Sequence, residues 1–250
     1  MSTDTDARVA LVTGASRGIG QAVAVVLAEA GWDVVVNFQG DAAAAGETAR
    51  RVEQAGRRTL AVQADVADAA QSQALVDGAL AAFGRIDLLV NNAGIAANAP
   101  LALMPAADIE RIVRTNLVGV MRMTQLVVPA MVRQGGGRIV NVSSSGASKP
   151  GLGQAAYAAA KGGVEAFTRA AAVELAGAGV LVNAVAPGVT VTEMSAPMRE
   201  HRHDEVMRRL LVKRYAEPEE VARAVAYLAG PACRWMVGQT LHLDGGMKMA

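Results

Sequence analysis

Thr13-Gly14-Ala15-Ser16-Arg17-Gly18-Ile19-Gly20 is the stretch of sequence that decides the fold. It follows the apolar run Val9–Val12, which predicts a buried strand, and it precedes residues 21–30, which predict a helix closed by Gly31. Glycines in such a turn let the backbone approach a pyrophosphate, to which the helix N-terminus offers amide donors. Because the spacing is G-x-x-x-G-x-G rather than G-x-G-x-x-G, the turn favours dinucleotide binding but leaves an ordinary tight turn as the alternative.

Apolar runs and amphipathic segments alternate along the rest of the chain. The predicted strands are 8–13, 33–38, 58–64, 87–91, 138–143, 180–186 and 239–243. The predicted helices are 18–30, 42–55, 69–83, 106–133, 155–177 and 217–229. This alternation predicts an α/β, Rossmann-like doubly wound fold with a seven-stranded parallel sheet flanked by helices. We expect a flexible N-terminus over residues 1–7 and a single domain over residues 8–250.

Composition argues against several classes of function. The net charge of +1 gives no electrostatic case for a nucleic-acid surface, and no apolar run approaches the ~18 residues that span a membrane. The first six residues are polar and acidic, which does not match a signal peptide, so a cytoplasmic protein is expected. Cys233 is the single cysteine, and His201 and His203 are better interpreted as solvated loop residues than as ligands, so no metal site is predicted.

Tyr157 and Lys161 are the first candidate catalytic pair. Four residues apart on a predicted helix, they lie on the same face, one turn from each other. The reference pKa of a tyrosine phenol is about 10, which makes an unassisted tyrosine a poor proton shuttle near neutrality. An ammonium beside the phenol favours the phenolate and so lowers this pKa. The pair can therefore exchange a proton with a carbonyl or alcohol oxygen, although the same spacing occurs by chance on many helices.

A serine cluster ends the apolar run that begins at Ile139. Ser143, Ser144 and Ser145 lie just past the predicted strand, where ligands bind in open parallel sheets. Serines in such positions are more often turn formers, so the cluster gains functional weight only beside the other motifs.

Together these segments resemble the classical short-chain dehydrogenase/reductases, and most of all the 3-oxoacyl-[acyl-carrier-protein] reductases. The resemblance runs from about Arg8 to Met249. The matching segments occur in the order Thr13–Gly20, Asp65-Val66, Asn91-Asn92-Ala93-Gly94, Asn116, Ser144, Tyr157, Lys161 and Pro187-Gly188.

The resemblance implies that a hydride passes from a nicotinamide to a ketone while Tyr157 protonates the developing alkoxide. It assigns Ser144, thirteen residues before Tyr157, to hold the carbonyl oxygen. Lys161 would lower the pKa of Tyr157 and bind the nicotinamide ribose, and Asn116 would hold a water that links Lys161 to solvent.

The resemblance also implies an NADP(H) cofactor. Asn37 stands near the end of the second strand, where NAD enzymes usually carry an acid, and Arg17 can pair with a 2′-phosphate. Asp41 is expected to cap the following helix instead. The full set of expected cofactor residues is Gly14, Ser16, Arg17, Gly18, Ile19, Gly20, Asn37, Asp65, Val66, Asn92, Ala93, Gly94, Tyr157, Lys161, Pro187, Gly188 and Thr190.

Substrate and assembly are further implications of the resemblance. The expected reaction reduces a 3-oxoacyl thioester of acyl carrier protein or coenzyme A, beneath a mobile lid over about 188–211. Gly135 and Ala178 stand where those reductases carry basic docking residues for the acidic carrier. A reductase for free ketones, sugars or polyols is therefore one alternative, and a non-catalytic NADP-binding regulator is another. A homotetramer is expected, partly because Val164, Phe167, Ala171 and Leu175 form an apolar stripe that is otherwise typical of a core-facing helix.

Overall fold

One parallel sheet contains all the named strands of the computed structural model, which describes residues 7–249. The strands are β1 (Val9–Val12), β2 (Asp33–Phe38), β3 (Thr59–Gln63), β4 (Leu88–Asn91), β5 (Gly137–Val142), β6 (Val180–Pro187) and β7 (Thr240–Leu243). Their order is β3-β2-β1-β4-β5-β6-β7, so the predicted seven-stranded doubly wound fold is confirmed. Of the predicted flexible terminus, residues 1–6 lie outside the described residues, and Ala7 is buried.

Helices cover both faces of the sheet. They are α1 (Gly18–Glu29), α2 (Ala42–Gln54), α3 (Ala69–Phe83), α4 (Ala106–Val113), α5 (Gly119–Arg133), α6 (Ala155–Leu175), α7 (Ala196–His201), α8 (His203–Arg209) and α9 (Pro218–Ala229). Alternate residues of β1 point to opposite faces, so Ala10 and Val12 pack with α1, α2 and α9. Val9 and Leu11 pack on the other face, with α3, α5 and α6. No helix in residues 7–249 is both long and apolar enough to cross a membrane.

The predicted helix over 106–133 is interrupted. A π-helical turn over Arg114–Val118 separates α4 from α5. The chain stays helical through such a turn, so the residue preferences that predict one continuous helix did not indicate it. The turn contains Asn116, which it directs into the protein interior.

The segment 188–211 is more regular than predicted. It contains the short helices α7 and α8, which pack Val206 and Leu210 against Met247. Met198 and Met207 join this small cluster, whereas Met194 lies at the cleft described below. The segment starts from Gly188, where an added Cβ would lie 2.8 Å from Asp244 Cα.

The chain reverses its direction of travel across the sheet at β1. Strand β1 pairs with β2 on one side and with β4 on the other. Ligands of open parallel sheets bind at such a switch point, beyond the carboxyl ends of the strands. A buried polar ladder holds the neighbouring elements together: Asn91 Nδ2 donates to Asn141 Oδ1 at 2.9 Å, and Asn141 Nδ2 donates to Thr168 Oγ1 of α6 at 2.9 Å. The ladder fixes α6 relative to the sheet.

Candidate active site

A cleft of about 730 Å³ opens at the carboxyl edge of the sheet. Its lining includes Ser144 and every residue expected to contact the cofactor, from Gly14 in the first turn to Thr190 beyond β6. The structure therefore brings together segments that are far apart in the sequence. Asn116 is the one candidate catalytic residue that is not part of the lining.

The glycine-rich turn forms a cradle that has no room for side chains. Gly14 has φ +61°, and a Cβ there would lie 2.9 Å from Ala93 Cα. A Cβ at Gly20 would lie 2.5 Å from Asn92 Nδ2 and closer still to the Gly14 carbonyl. Because the backbone is bare and leads into the N-terminus of α1, the turn fits the phosphates of a dinucleotide.

Thr13 connects this turn to the end of β4. Its hydroxyl accepts hydrogen bonds from the backbone amides of Asn92 and Ala93, each at 3.0 Å. Asn92 Nδ2 in turn donates to the carbonyls of Thr13 and Gly14, each at 2.9 Å. Sequence analysis did not select Thr13 as a site residue, although its position at the head of the glycine-rich motif was a usable signal.

Asn37 of β2 supports the glycine-rich turn with a side chain that is only 1% exposed. Asn37 Oδ1 accepts from the Gly14 amide at 3.2 Å, and Nδ2 donates to the Ala64 carbonyl at 3.0 Å. Every polar atom of this side chain is therefore bonded to backbone. Asn37 lines the cleft, but its amide is occupied by these backbone partners and is not free to meet a 2′-phosphate.

The residues at the open end of the cleft beyond β2 are Gln39, Gly40 and Asp41. Asp41 accepts from the Ala44 amide at 2.9 Å, which confirms the predicted cap of α2. Gln39 Nε2 donates to Asp65 Oδ2 at 2.9 Å. The carboxylates of Asp41 and Asp65 are therefore already hydrogen-bonded within the protein.

Tyr157 and Ser144 meet at the opposite end of the cleft. A Cβ on Gly146 would lie 3.3 Å from Ser144 Oγ and 3.7 Å from Tyr157 Cε1, so the two side chains lie side by side. Burial raises the pKa of the Tyr157 phenol, and the neighbouring Ser144 hydroxyl offsets part of that rise. This rise of the Tyr157 pKa is opposite to the lowering that Lys161 was expected to cause. The loss of water around the phenolate destabilises it more than Ser144 stabilises it. Tyr157 is thus a neutral phenol, able to donate a proton, at neutral pH.

Lys161 is buried one turn further along α6. Its ammonium lies 5.9 Å from the centre of the Tyr157 ring and donates to the Val142 carbonyl at 2.7 Å. Burial lowers the pKa of Lys161 to about 8, so this side chain changes charge close to physiological pH.

Asn116 lies behind the cleft wall. Its Oδ1 accepts from the Ile95 amide and its Nδ2 donates to the Ile95 carbonyl, both at 2.8 Å. A Cβ at Gly94 would lie 3.3 Å from Asn116 Oδ1 and 3.6 Å from Lys161 Nζ, so the amide and the ammonium approach the same point. Asn116 does not point out of the helix into solvent, since its side chain is fully buried.

The three consecutive serines have different environments. Ser143 is buried and donates to Glu165 Oε1 at 2.9 Å, and Ser145 is buried against Met247. Ser144 is the member whose side chain lies beside the Tyr157 ring. The choice of Ser144 from its spacing is therefore consistent with the geometry.

The start of the segment 188–211 contributes cleft residues that the sequence did not indicate. Thr192, Glu193 and Met194 line the cleft, and Glu193 Oε2 accepts from Arg17 Nη1 at 2.6 Å.

The histidine His203, which lies outside the cleft lining, is hydrogen-bonded to the Tyr215 hydroxyl at 2.9 Å. Within residues 7–249 no group of three His, Cys, Asp or Glu side chains could hold a metal ion.

Replacing Asn37 with Asp should weaken the protein rather than switch its cofactor. The new carboxylate would face the Val62 and Ala64 carbonyls, so we expect the free energy of unfolding to fall by about 1–3 kcal/mol. Binding of NADPH and of NADH should weaken together, measured by fluorescence titration. Gln39→Glu is the matched control: it should weaken NADPH selectively with little loss of stability. A selective gain of NADH binding in Asn37→Asp would contradict this assignment.

The depressed pKa of Lys161 should make stability depend on pH. Because the folded pKa of about 8 lies below the unfolded value of 10.5, the unfolded chain binds more protons between these limits. Unfolding free energy should therefore rise with pH, by about 2–3 kcal/mol from pH 8 to pH 10, relative to Lys161→Met. Urea denaturation of both proteins at several pH values measures the difference. Parallel pH curves for the two proteins would show that Lys161 titrates normally.

Comparison with known proteins gives one consistent answer. The family model described as short chain dehydrogenase matches residues 8–203. The 3-oxoacyl-[acyl-carrier-protein] reductase FabG of Staphylococcus epidermidis is 40% identical over 240 residues, covering 96% of this chain and 98% of the relative. A 3-oxoacyl-[acyl-carrier-protein] reductase of Synechocystis is 43% identical over 248 residues, covering 99% of each chain.

Solved structures agree with the sequence relatives. A double mutant of a Serratia marcescens short-chain dehydrogenase/reductase superposes with a TM-score of 0.92 at 36% identity, covering 96% of this chain and 98% of that one. The acetoin dehydrogenase of Enterobacter cloacae has a TM-score of 0.89 at 37% identity, covering 97% and 96%. From these matches and the site geometry, the chain belongs to the short-chain dehydrogenase/reductase family and is an NAD(P)-dependent oxidoreductase.

Proposed function

We propose that this protein uses NADPH to reduce a 3-oxoacyl thioester, carried by acyl carrier protein or coenzyme A, to the 3-hydroxyacyl thioester. The observation that carries the chemistry is the placement of Ser144 beside Tyr157, where both side chains line the end of the cleft. The substrate class is supported by full-length relatives at about 40% identity that bear the name of that reaction.

In this mechanism Tyr157 donates its phenolic proton to the substrate oxygen as that oxygen gains negative charge. The nicotinamide ring supplies the hydride when the cofactor is bound. Burial keeps Tyr157 protonated until then, and the Ser144 hydroxyl donates a hydrogen bond that fixes the oxygen. Reduction of a carbonyl thus consumes one proton held at the Tyr157 oxygen.

Lys161 and Asn116 act behind this pair. With a pKa near 8, the Lys161 ammonium can stabilise the phenolate that remains after proton donation. Asn116 uses both amide atoms to fix Ile95 and lies close to Lys161, which supports a role in positioning the cleft wall and the ammonium. We further propose that Lys161 binds the nicotinamide ribose.

The NADP preference rests on charge at the adenosine end of the cleft. Arg17 is an exposed cation at this end, and Gln39 and Gly40 offer no acid beyond β2. Asp41 and Asp65 line the same end but are hydrogen-bonded to their own loops. A 2′-phosphate would therefore meet a guanidinium, which binds phosphate through paired hydrogen bonds.

Gly135 and Ala178, the two positions where docking residues for the carrier protein were expected, do not lie beside this chain's own cleft. Gly135 and Ala178 precede β5 and β6, so they lie at the amino edge of the sheet, opposite Ser144 and Pro187. Gly135 has φ +85°, where an arginine would be strained. We therefore expect weak, salt-insensitive dependence on the carrier.

Reduction of a small free ketone or diketone is the second candidate. The likeness to an acetoin dehydrogenase at 37% identity favours it, since that identity is close to that of the thioester reductases. Sugars and polyols remain less supported alternatives. A non-catalytic regulator is disfavoured because Ser144, Tyr157 and Lys161 are all present around one cleft.

A homotetramer remains our proposal for the assembly, and a cytoplasmic location remains a prediction. The stripe on α6 does not support the tetramer, since Val164 and Ala171 are buried within the chain. Support comes instead from exposed apolar residues on α5 and α6, such as Val132 and Val173, and from Trp235, which is 98% exposed. Light scattering at micromolar concentration should give four times the mass of the chain.

Removing the proton donor should stop turnover without preventing cofactor binding. Tyr157→Phe keeps the ring, so we expect kcat to fall about 10²- to 10⁴-fold while NADPH binding persists. Ser144→Ala should also be severe, whereas Ser145→Ala should be mild because Ser145 contacts Met247 rather than Tyr157. Steady-state kinetics and NADPH titration check both parts. Greater damage from Ser145→Ala than from Ser144→Ala would overturn the assignment.

The substrate assignment is tested by comparing carriers. We expect similar kcat/KM for acetoacetyl thioesters of carrier protein and of a small thiol, with little change between low and high salt. Loss of NADPH absorbance measures the rates, with acetoin and a diketone as parallel substrates. A strong, salt-sensitive preference for the carrier would show that other residues dock it. Turnover of the free ketones alone would favour the second candidate.

A further inference from the structure

The contact between Arg17 and Glu193 joins two distant segments that line the cleft. Arg17 belongs to the glycine-rich turn and Glu193 to the start of the lid, 176 positions later. The guanidinium and carboxylate lie 2.6 Å apart, and their side chains are 61% and 72% exposed. The pair is thus a direct electrostatic link between the cofactor turn and the segment that covers the substrate.

The backbone presents Glu193 to this position. Thr192 packs against the turn, since its Cγ2 lies 3.2 Å from the place of a Cβ on Gly18. Ser195 Oγ donates to the Thr190 carbonyl, and Arg199 Nη2 donates to the Thr192 carbonyl at 3.3 Å. These contacts hold the lid turn beside the N-terminus of α1, with the Glu193 carboxylate on its outer side.

Glu193 is the carboxylate that Arg17 pairs with among residues 7–249. The two other acids at the adenosine end, Asp41 and Asp65, are bonded to backbone amides of their own loops. A phosphate monoester carries more negative charge than a carboxylate at pH 7 and offers three acceptor oxygens. An exposed ion pair is weak and screened by salt, so such a phosphate can displace Glu193.

We propose that Glu193 is a specificity-determining residue that competes with the adenosine 2′-phosphate for Arg17, so that a phosphorylated cofactor releases the start of the lid. This inference rests on the proposed preference for NADP. Cofactor without the 2′-phosphate leaves the Arg17–Glu193 pair closed. Glu193 therefore lowers the affinity for the phosphorylated nucleotide and couples its adenosine end to the freedom of the lid.

Adenosine 2′,5′-bisphosphate and adenosine 5′-monophosphate differ only in the 2′-phosphate, so comparing them isolates its contribution to binding. Neither compound carries the nicotinamide that would occupy the catalytic end of the cleft. We expect the Glu193→Gln variant to bind the bisphosphate about two- to fivefold more tightly than wild type and to bind the monophosphate with unchanged affinity. Titration calorimetry at low salt measures both affinities. Glu200→Gln is the matched control, because it removes the same charge from α7 of the lid, where no ion pair within residues 7–249 involves Glu200. It should leave both affinities at the wild-type value.

Hydrogen exchange of the lid provides a readout that does not depend on affinity. The bisphosphate should speed exchange of the amides of Ala196 and Arg199, which bond the Glu193 and Ser195 carbonyls, in wild type. In Glu193→Gln the same amides should already exchange rapidly and should not respond to the ligand.

The outcomes distinguish this inference from the cofactor assignment. Equal wild-type affinity for the bisphosphate and the monophosphate would overturn the NADP preference and the competition with it. A wild type that prefers the bisphosphate, with Glu193→Gln indistinguishable from Glu200→Gln, would overturn the competition alone. Equal tightening of both nucleotides in Glu193→Gln would overturn the assignment of Arg17 to the 2′-phosphate.

Discussion

The close approach of two backbones, Gly14 against Ala93, is the constraint on which the site depends. It requires glycine at the first turn, and it requires Thr13 to satisfy the amides of Asn92 and Ala93 that the approach would otherwise leave unpaired. Asn37 supports the same turn from β2. The floor of the cofactor cleft is therefore built from three strands that are locked together by side chains which themselves need not touch a ligand.

Burial then decides the chemistry at the other end of the cleft. The ladder from Asn91 through Asn141 to Thr168 seats α6 against the sheet, and that placement buries Lys161 and half-buries Tyr157. Desolvation favours the neutral form of each side chain, so the phenol retains its proton and the ammonium loses its proton more easily. A reductase needs the first property, because the proton must be available when negative charge develops on the substrate.

Much of this arrangement was predictable from the sequence. The strands, the glycine-rich turn and the Asp41 cap follow from apolar runs and local residue preferences, and the predicted strand boundaries are close to the observed ones. The π-helical turn around Asn116 was not predictable, because the residue preferences that favour an α-helix also favour this helical turn. The inward orientation of Asn37 and the pairing of Arg17 with Glu193 depend on tertiary contacts between distant segments, which a single sequence does not encode locally.

The all-parallel sheet has a consequence for how the site forms. Parallel neighbours cannot be joined by a hairpin, so every pairing closes a long stretch of chain; β1 meets β4 across nearly eighty residues. Such high contact order slows folding and delays the cleft until the central strands have assembled. Since the cleft exists only in that assembled state, a nucleotide that occupies it stabilises the whole sheet by mass action, and the cellular cofactor pool acts as a folding ligand for the enzyme.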